Sequence, residues 1–273
     1  MPELPEVQTV VNVLKSSKII NKTISETKIF VPKMLKNSSV SAFNDFLVGE
    51  KIKTISRIGK YLVFNLTDNK VMLMHLRMEG KIFVEQKKDT PRKYLCFEIF
   101  IGNEILRFYD FRKFGTVHIY KSEKEMKESI VIKKIALDPL DKNFSGTYLY
   151  NNLKNSNKYI KTAILDQSKV SGIGNVYADE ILFRSRISPL RKTKNVSLKE
   201  FNTIAKYAKS IMEDSIKHGG TTFATFESAN HTVGAFQNKL QMYGKKICPV
   251  CKRPTVYTKV NGRGTHYCKH CQK

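Results

Sequence analysis

Two pairs of cysteines near the end of the chain place the tightest constraint on what it can fold into. Each pair has the spacing CxxC, in Cys248-Pro-Val-Cys251 and in Cys268-Lys-His-Cys271. This pattern is typical of a zinc ribbon, in which four thiolates close the shell of one structural Zn²⁺. The sequence has no cleavable signal pattern and no apolar run of membrane-spanning length. A reducing cytosol is therefore expected, where a metal site is favoured over disulfides.

The chain is strongly basic, which narrows the classes of partner. Its 273 residues include 48 Lys and Arg against 24 Asp and Glu, so the formal net charge is +24 and the pI is about 9.8. Enzymes of small metabolites do not need such an excess, whereas a protein that contacts phosphates of a polyanion gains from counterion release. Nucleic acid is the first candidate partner, and an anionic membrane surface is the weaker alternative.

The first six residues, Met1 to Glu6, combine a nucleophile with an acid. Removal of Met1, which a small following residue permits, would leave Pro2 with a free secondary amine. An α-amino group titrates near ~8, so part of it is nucleophilic at neutral pH. Attack on a sugar C1′ would give an iminium, and Glu3 could protonate the ring oxygen. The same residues suit an ordinary helix start, and taken alone they favour that simpler interpretation.

Hydrophobic periodicity predicts a β-rich first half and a helical second half, which is an α+β fold. Alternation predicts strands at 26–31, within 51–66, and at 71–76, 81–85, 94–101 and 104–109. Helical spacing predicts a helix from Pro5 and others at 148–155, 161–167, 175–184 and 197–218. The charged stretch 121–145 is expected to be irregular. The predicted domains are 1–135, 148–240 and 241–273, with a linker at 136–147.

Five further segments carry residues suited to chemistry or to nucleic-acid contact. They are Ser56–Leu62, His75–Gly80, Asp110–Gly115, Val170–Glu180 and Asn261–Thr265. Each alone has a simpler explanation, such as a solvated turn lysine, a packed loop methionine or a glycine turn between helices. With the opening Pro-Glu-Leu-Pro-Glu-Val and the cysteine pairs, however, their order and spacing resemble the bacterial formamidopyrimidine-DNA glycosylase family. The resemblance covers nearly the whole chain.

The resemblance implies a fold and a catalytic set. The expected architecture is an N-terminal β-sandwich domain with a leading helix, followed by a helical helix-two-turns-helix domain that carries the four-cysteine zinc ribbon. By resemblance, Pro2 is the nucleophile and Glu3 the general acid, with Glu6 in support. Lys60 and Arg263 are expected to contact phosphates at the lesion and to assist elimination.

The resemblance also implies contacts with DNA. Met78 would fill the gap left by an extruded base, Arg112 would pair with the orphaned cytosine, and Phe114 would wedge beside it. Phosphate contacts are expected from Lys93, Asn175 and Arg263, and a loop over 219–232 is expected to cover the flipped base. The sequence departs from the family pattern at Arg77, Glu79, Lys93 and Phe111.

The activity implied is excision of oxidised purines, 8-oxoguanine and formamidopyrimidines, from double-stranded DNA, with strand cleavage by β,δ-elimination. A monomer in the bacterial cytoplasm, associated with the nucleoid, is expected. One alternative is an endonuclease VIII-like enzyme that prefers oxidised pyrimidines, and another is a non-catalytic binder of damaged DNA. The loop with Arg112 and Phe114 favours the purine enzyme, and the presence of Pro2, Glu3 and Lys60 speaks against the binder.

Overall fold

The computed structural model describes residues 2–221 and 234–273, which form two compact units. The first contains the chain up to residue 133 together with the segment that begins at Gly219 and ends at Ala235, and the second contains 134–218 and 236–273. Most of the predicted lid segment, 219–232, lies outside the described residues. Among the helices that the structure describes, none is both long and apolar enough to cross a membrane.

The first unit is a sandwich of two antiparallel four-stranded sheets with a leading helix, as predicted. Its elements are α1 (Leu4–Lys15), β1 (Ile24–Ile29), α2 (Val40–Leu47), β2 (Ile52–Ile58), β3 (Tyr61–Leu66), β4 (Val71–His75), β5 (Lys81–Gln86), β6 (Leu95–Ile101), β7 (Glu104–Tyr109), β8 (Thr116–Tyr120) and α3 (Glu123–Glu128). The strand orders are β2-β3-β4-β8 and β1-β6-β7-β5.

One apolar core fills the sandwich, because strands of both sheets point alternate side chains inward. Phe64 and Met74 come from one sheet, Phe97 and Phe108 from the other, and Val10 from α1; all are essentially fully buried. Each such side chain stabilises the fold by about 1.5–3 kcal/mol relative to an exposed one. Helix α1 therefore belongs to the core, which fixes the position of the residues just before it.

The connection between β4 and β5 passes from one sheet to the other, and it contains Met78. Gly80 ends this connection, and Gly115 precedes β8. A Cβ added at Gly80 would lie 2.7 Å from the Phe108 ring, and one added at Gly115 would lie 2.6 Å from the same ring. Both loops can rest on one buried phenyl ring only because both positions are glycine.

The second unit is helical and ends in a two-stranded ribbon. Its elements are α4 (Gly146–Leu153), α5 (Ile160–Ile164), α6 (Asn175–Arg184), α7 (Leu198–Lys217), β9 (Val256–Val260) and β10 (Arg263–Tyr267). A capping box starts α7, since the Ser197 hydroxyl accepts from the Glu200 backbone N–H and Glu200 accepts from that of Ser197. Apolar residues at helical spacing along α7 are buried, namely Phe201, Ile204, Ala205, Ala208, Ile211 and Met212.

Two differences between the predicted and the observed elements are larger than shifted ends such as those of β1 and α5. Strand β8 was not predicted, and it completes the sheet by pairing with β4 over Val71–His75. The charged stretch 121–145, expected to be irregular, contains α3, which begins where the Ser122 hydroxyl accepts from the backbone N–H of Glu125. Charge alone therefore did not exclude a helix there, because a capping serine and first-turn glutamates stabilise it.

Candidate functional site

The start of α1 holds the predicted nucleophile and acid in a buried setting. Pro2 is buried and Glu3 is only 4% exposed. Glu3 has extended backbone and caps the helix, and its backbone N–H donates to Glu6 Oε2 at 2.8 Å. Carboxylates at this end of a helix are stabilised by the unpaired amides of the first turn. The ordinary helix start, which was the simpler interpretation of these residues, is therefore present. It holds Glu3 at the N-cap of α1, directly after Pro2.

Glu6 binds the chain immediately before residues 222–233. Its Oε1 accepts from the backbone N–H of Thr221 at 2.8 Å and from the Thr221 hydroxyl at 2.9 Å. Gly220 has φ +83°, and a Cβ there would lie 2.9 Å from Glu6 Oε1. This gives Glu6, predicted only as a supporting residue, a defined structural contact. Thr221 was predicted only as part of the lid segment 219–232, and its contact with Glu6 was not predicted.

Lys60 lies on the tight turn between β2 and β3, where Gly59 has φ +55°. The lysine is 6% exposed, so it is not the solvated turn residue that the simpler explanation required. Arg57 ties this turn to α1, because its Nε donates to Gln8 Oε1 at 2.8 Å and its Nη1 donates to the Gly59 carbonyl at 3.2 Å. The arginine therefore links the helix that carries Glu3 to the turn that carries Lys60.

His75, at the end of β4, was not among the predicted site residues. It pairs with Tyr61 across the β3–β4 ladder, with ring centroids 4.5 Å apart, and its Nδ1 accepts from the Arg77 backbone N–H at 2.9 Å. Burial, followed by the charges of Arg77 and Lys60, lowers the pKa of His75 to about 3. The ring is therefore neutral at physiological pH, and it buttresses the start of the Met78 loop. Its position directly before the Met78 loop was the one sequence signal that could have marked His75 as a site residue.

His75 is expected to make the first unit acid-sensitive. In an unfolded chain its pKa is about 6.5, so neither state binds the proton above that pH. As pH falls from 6.5 towards 3, the unfolded state takes up the proton first and stability is lost, by about 3 kcal/mol at pH 4. We expect His75→Gln, which keeps an acceptor for Arg77, to remove this part of the pH dependence. Urea unfolding of both proteins at pH 7.5 and pH 4.5 measures it; an equal loss of stability in the two proteins would contradict the assignment.

The loop between β7 and β8 presents Arg112 and Phe114 on a scaffold made by Asp110. The buried carboxylate of Asp110 accepts from the backbone N–H groups of Arg112 at 3.0 Å, Phe114 at 2.8 Å and Gly115 at 2.8 Å. The Arg112 guanidinium lies 4.6 Å from the centre of the Phe114 ring. Asp110 was not predicted to have this organising role, which requires knowledge of the loop conformation.

The structure brings Met78 and Phe114 together and leaves Lys93 apart from them. Met78 is 40% exposed and Phe114 49%, and both line one pocket at the edge of the sandwich. Lys93 lines a different pocket, with Tyr94 and Phe111 among its walls. The Tyr94 and Phe111 rings meet edge to face with centroids 4.8 Å apart. Met78 and Phe114 are therefore two exposed apolar side chains on neighbouring loops, and such side chains are suited to insertion between bases.

In the second unit, Asn175 contacts the hairpin that carries Arg263. Asn175 begins α6, and its Nδ2 donates to the Gly264 carbonyl at 2.9 Å. Arg263 is exposed at the first position of β10. The same carbonyl accepts from Lys161 Nζ at 2.8 Å. Two predicted phosphate contacts, Asn175 and Arg263, therefore lie on adjoining elements, α6 and β10, which the bond from Asn175 to the Gly264 carbonyl joins.

A buried lysine holds this hairpin to the helices. Lys161 is fully buried in α5, and its Nζ lies 2.9 Å from Thr265 Oγ1 and 2.7 Å from Asp179 Oδ1. Asp179 Oδ2 accepts from the His266 backbone N–H at 2.9 Å. Sequence reasoning placed Lys161 and Asp179 on helices without a role, since neither spacing nor residue type reveals that they meet.

The four cysteines of the tail converge as predicted. The Sγ atoms of Cys248, Cys251, Cys268 and Cys271 all lie within 4.8 Å of one another. Cys251 and Cys268 are 3.5 Å apart, and Cys248 and Cys271 are 3.9 Å apart. Tetrahedral zinc with Zn–S bonds of about 2.3 Å needs sulfur atoms roughly 3.8 Å apart, so the cluster fits one Zn²⁺ with a closed thiolate shell. His266 and His270 are not needed as ligands.

Three family models match consecutive parts of the chain. The formamidopyrimidine-DNA glycosylase N-terminal domain matches residues 1–117, and the H2TH domain of the same enzymes matches residues 135–227. The zinc finger found in FPG and IleRS matches residues 245–273, which include all four clustered cysteines. The zinc finger match agrees with the sulfur geometry, and the ribbon holds one structural Zn²⁺.

Relatives match over the whole length. The formamidopyrimidine-DNA glycosylase of Ureaplasma parvum is 47% identical, with 100% of each chain covered, and that of Oceanobacillus iheyensis is 41% identical, with 100% of this chain and 98% of the relative covered. A solved complex of Lactococcus lactis Fpg with DNA containing an abasic site superposes with a TM-score of 0.92 at 33% identity, covering 99% of both chains. The resemblance predicted from the motifs is confirmed: the chain belongs to the formamidopyrimidine-DNA glycosylase family.

Proposed function

We propose that this protein excises oxidised purines from duplex DNA and then cuts the strand, with Pro2 as the nucleophile. It is a DNA glycosylase and AP lyase of base excision repair, as its full-length relatives named formamidopyrimidine-DNA glycosylase indicate. The observation that carries the residue assignment is the buried Pro2-Glu3 pair at the fixed start of α1, on the same unit as the buried Lys60. We further propose that it acts in the cytoplasm at the nucleoid, where chromosomal DNA lies.

Base excision begins when the Pro2 amine attacks C1′ of the damaged nucleotide. A bond forms between the proline nitrogen and C1′ while the glycosidic bond breaks, and its electron pair leaves with the base. The base takes up the proton that the proline nitrogen loses. Glu3 protonates the sugar ring oxygen, so the ring opens and an iminium remains. The capping box fixes the Glu3 carboxyl group at the start of α1, and Glu3 follows Pro2 directly in the chain.

Strand cleavage follows from the same iminium. The iminium acidifies the C2′ proton, and its loss expels the 3′ phosphate by β-elimination. A second proton loss expels the 5′ phosphate by δ-elimination. Lys60 and Arg263 are proposed to bind the phosphates that leave, since a fixed cation stabilises the charge that develops there. Hydrolysis finally releases the proline.

Base extrusion needs groups that occupy the gap. We propose that Met78 fills the vacated space, that Arg112 pairs with the orphaned base and that Phe114 unstacks the neighbouring step. The Asp110 scaffold supports this assignment because it fixes the backbone of both Arg112 and Phe114. Asn175 and Arg263 are proposed to hold phosphates, and Lys93 is a further proposed phosphate contact at a separate pocket.

Borohydride trapping tests the assignment and the lesion preference together. One duplex would carry 8-oxoguanine opposite cytosine and the other an oxidised pyrimidine, which a Lactococcus lactis Fpg complex also contains. We expect a covalent adduct that mass spectrometry locates at Pro2, formed faster on the oxidised purine. A faster reaction on the pyrimidine would favour the endonuclease VIII-like alternative. DNA binding without any adduct, from protein shown to lack Met1, would leave the non-catalytic binder.

A further inference from the structure

A strongly basic pocket adjoins the exposed Met78 and Phe114 side chains. Its other walls are formed by Lys33, Lys36, Arg77, Lys113 and Thr116, with no acidic side chain among them. Over the described parts of the chain, none of the four cations forms an ion pair with a carboxylate. Uncompensated cations this close repel each other, so an anion bound among them would relieve that repulsion.

Two of the three lysines of this pocket, Lys33 and Lys36, lie on a segment that is held by the edge of β8. The Lys36 backbone N–H donates to the Val117 carbonyl at 3.0 Å. Asn37 forms two hydrogen bonds with the Ile119 backbone. Its Nδ2 donates to the Ile119 carbonyl at 2.7 Å, and its Oδ1 accepts from the Ile119 N–H at 3.0 Å. The backbone of the segment that carries both lysines is therefore fixed beside the pocket, and the Lys36 ammonium donates to the Lys33 carbonyl at 2.8 Å. Binding there loses little further backbone entropy.

Arg77 occupies a backbone conformation that favours glycine. Its φ is +57°. A non-glycine residue in the left-handed region costs about 1 kcal/mol or more. The strained residue carries an exposed guanidinium that lines the pocket, and this favours a binding role for that group.

Two buried polar groups near these cations lack hydrogen-bond partners within the described residues. Thr116 is 6% exposed, and its Oγ1 accepts and donates no hydrogen bond; the Nδ1 of His118, on the same strand, has none either. Burial, followed by the charges of Lys36 and Arg77, lowers the pKa of His118. Lys36 and Arg77 therefore place positive charge near His118, and the Thr116 hydroxyl has a donor that no described group uses.

We propose that Lys33, Lys36, Arg77 and Lys113, with the Thr116 hydroxyl, bind a backbone phosphate of the DNA at the step opened by Met78 and Phe114. This inference rests on the proposed function, because it assumes that the two apolar side chains enter the duplex. Unstacking a base step is unfavourable by a few kcal/mol, and a phosphate held beside the wedge offsets part of that cost.

The salt dependence of binding tests the proposal. The variants are Arg77→Gly, which also suits the local backbone, and the pair Lys33→Gln with Lys36→Gln. The matched control is Lys22→Gln. Lys22 lies against Gly102, which precedes β7, whereas the Phe114 loop follows β7. A six-residue strand is roughly 20 Å long, so Lys22 and the Phe114 loop are about that far apart. Affinity for a duplex with an abasic-site analogue would be measured between about 50 and 200 mM salt.

We expect the slope of log affinity against log salt to become shallower by about 0.9 for each phosphate that the variant no longer neutralises, in both pocket variants and not in the control. Slopes equal to wild type in both variants would overturn the proposal. The proposal would also be overturned if the two pocket variants bound inorganic phosphate less tightly than wild type but showed the wild-type salt slope for DNA. Borohydride trapping at Pro2 by the wild type checks the proposed function separately, since its failure does not depend on the pocket.

Discussion

A chain that keeps Met1 is expected to bind lesion DNA normally and to lose both base excision and strand cleavage. With Met1 attached, the Pro2 nitrogen belongs to a tertiary amide whose lone pair is delocalised, so it is no longer a nucleophile. No side chain changes, and the Glu3–Glu6 hydrogen bond that fixes the helix start does not need a free amine. The loss of excision rate should amount to several orders of magnitude, as for removal of any covalent nucleophile.

The comparison needs two preparations of one sequence, with and without Met1, distinguished by intact mass. Excision and cleavage would be timed on an 8-oxoguanine duplex, and binding would be measured on an abasic-analogue duplex as the control for folding. Equal binding with activity only in the trimmed protein is the expected pair of results. Undiminished cleavage by the untrimmed protein would show that another amine acts, and Lys60 would be the first to test, because it is buried on the same unit.

The parts of the site that sequence predicted correctly depend on local signals. The cysteine spacing fixes four ligands within a short ribbon, and their sulfur atoms do converge. Helix α6 was predicted with both ends correct, because glycine and asparagine mark its start. Strand β7 was also predicted residue for residue, since a Gly-Asn turn and clear alternation define it. Hydrophobic periodicity and turn-forming residues act over a few neighbouring residues. A single sequence predicts structure reliably only over that range.

The contacts that sequence missed are long-range. Asp110 organises the loop that follows it only through the particular loop conformation, in which Lys113 has φ +55°. Glu6 meets Thr221 across most of the chain. Strand β8 was missed because its Thr-Val-His-Ile-Tyr is short and mixed in polarity, and only its pairing with β4 makes it a strand. Each of these depends on the tertiary fold, which periodicity does not encode.

The second large effect is expected at Lys161. Replacing it with Met would leave the Asp179 carboxylate buried without its cation and would remove both hydrogen bonds to the Gly264 and Thr265 positions of the hairpin. Breaking a buried pair in this way typically costs about 3–5 kcal/mol. We expect the β9–β10 ribbon to lose amide-exchange protection in the zinc-loaded full chain. Because Arg263 begins β10, DNA affinity should fall with it.

The chain provides its own control for charge removal in the same region. Lys158 also forms an ion pair, with Asp166 at 3.4 Å, but its side chain is 57% exposed. Lys158→Met should therefore cost less than about 1 kcal/mol and leave the ribbon protected. Neutralising the partner as well, in Lys161→Met with Asp179→Asn, should recover part of the missing protection, because no buried charge then remains. If the two single lysine variants lost protection equally, burial of the pair would not be the source of its importance, and the ribbon would have to be held by the zinc site alone.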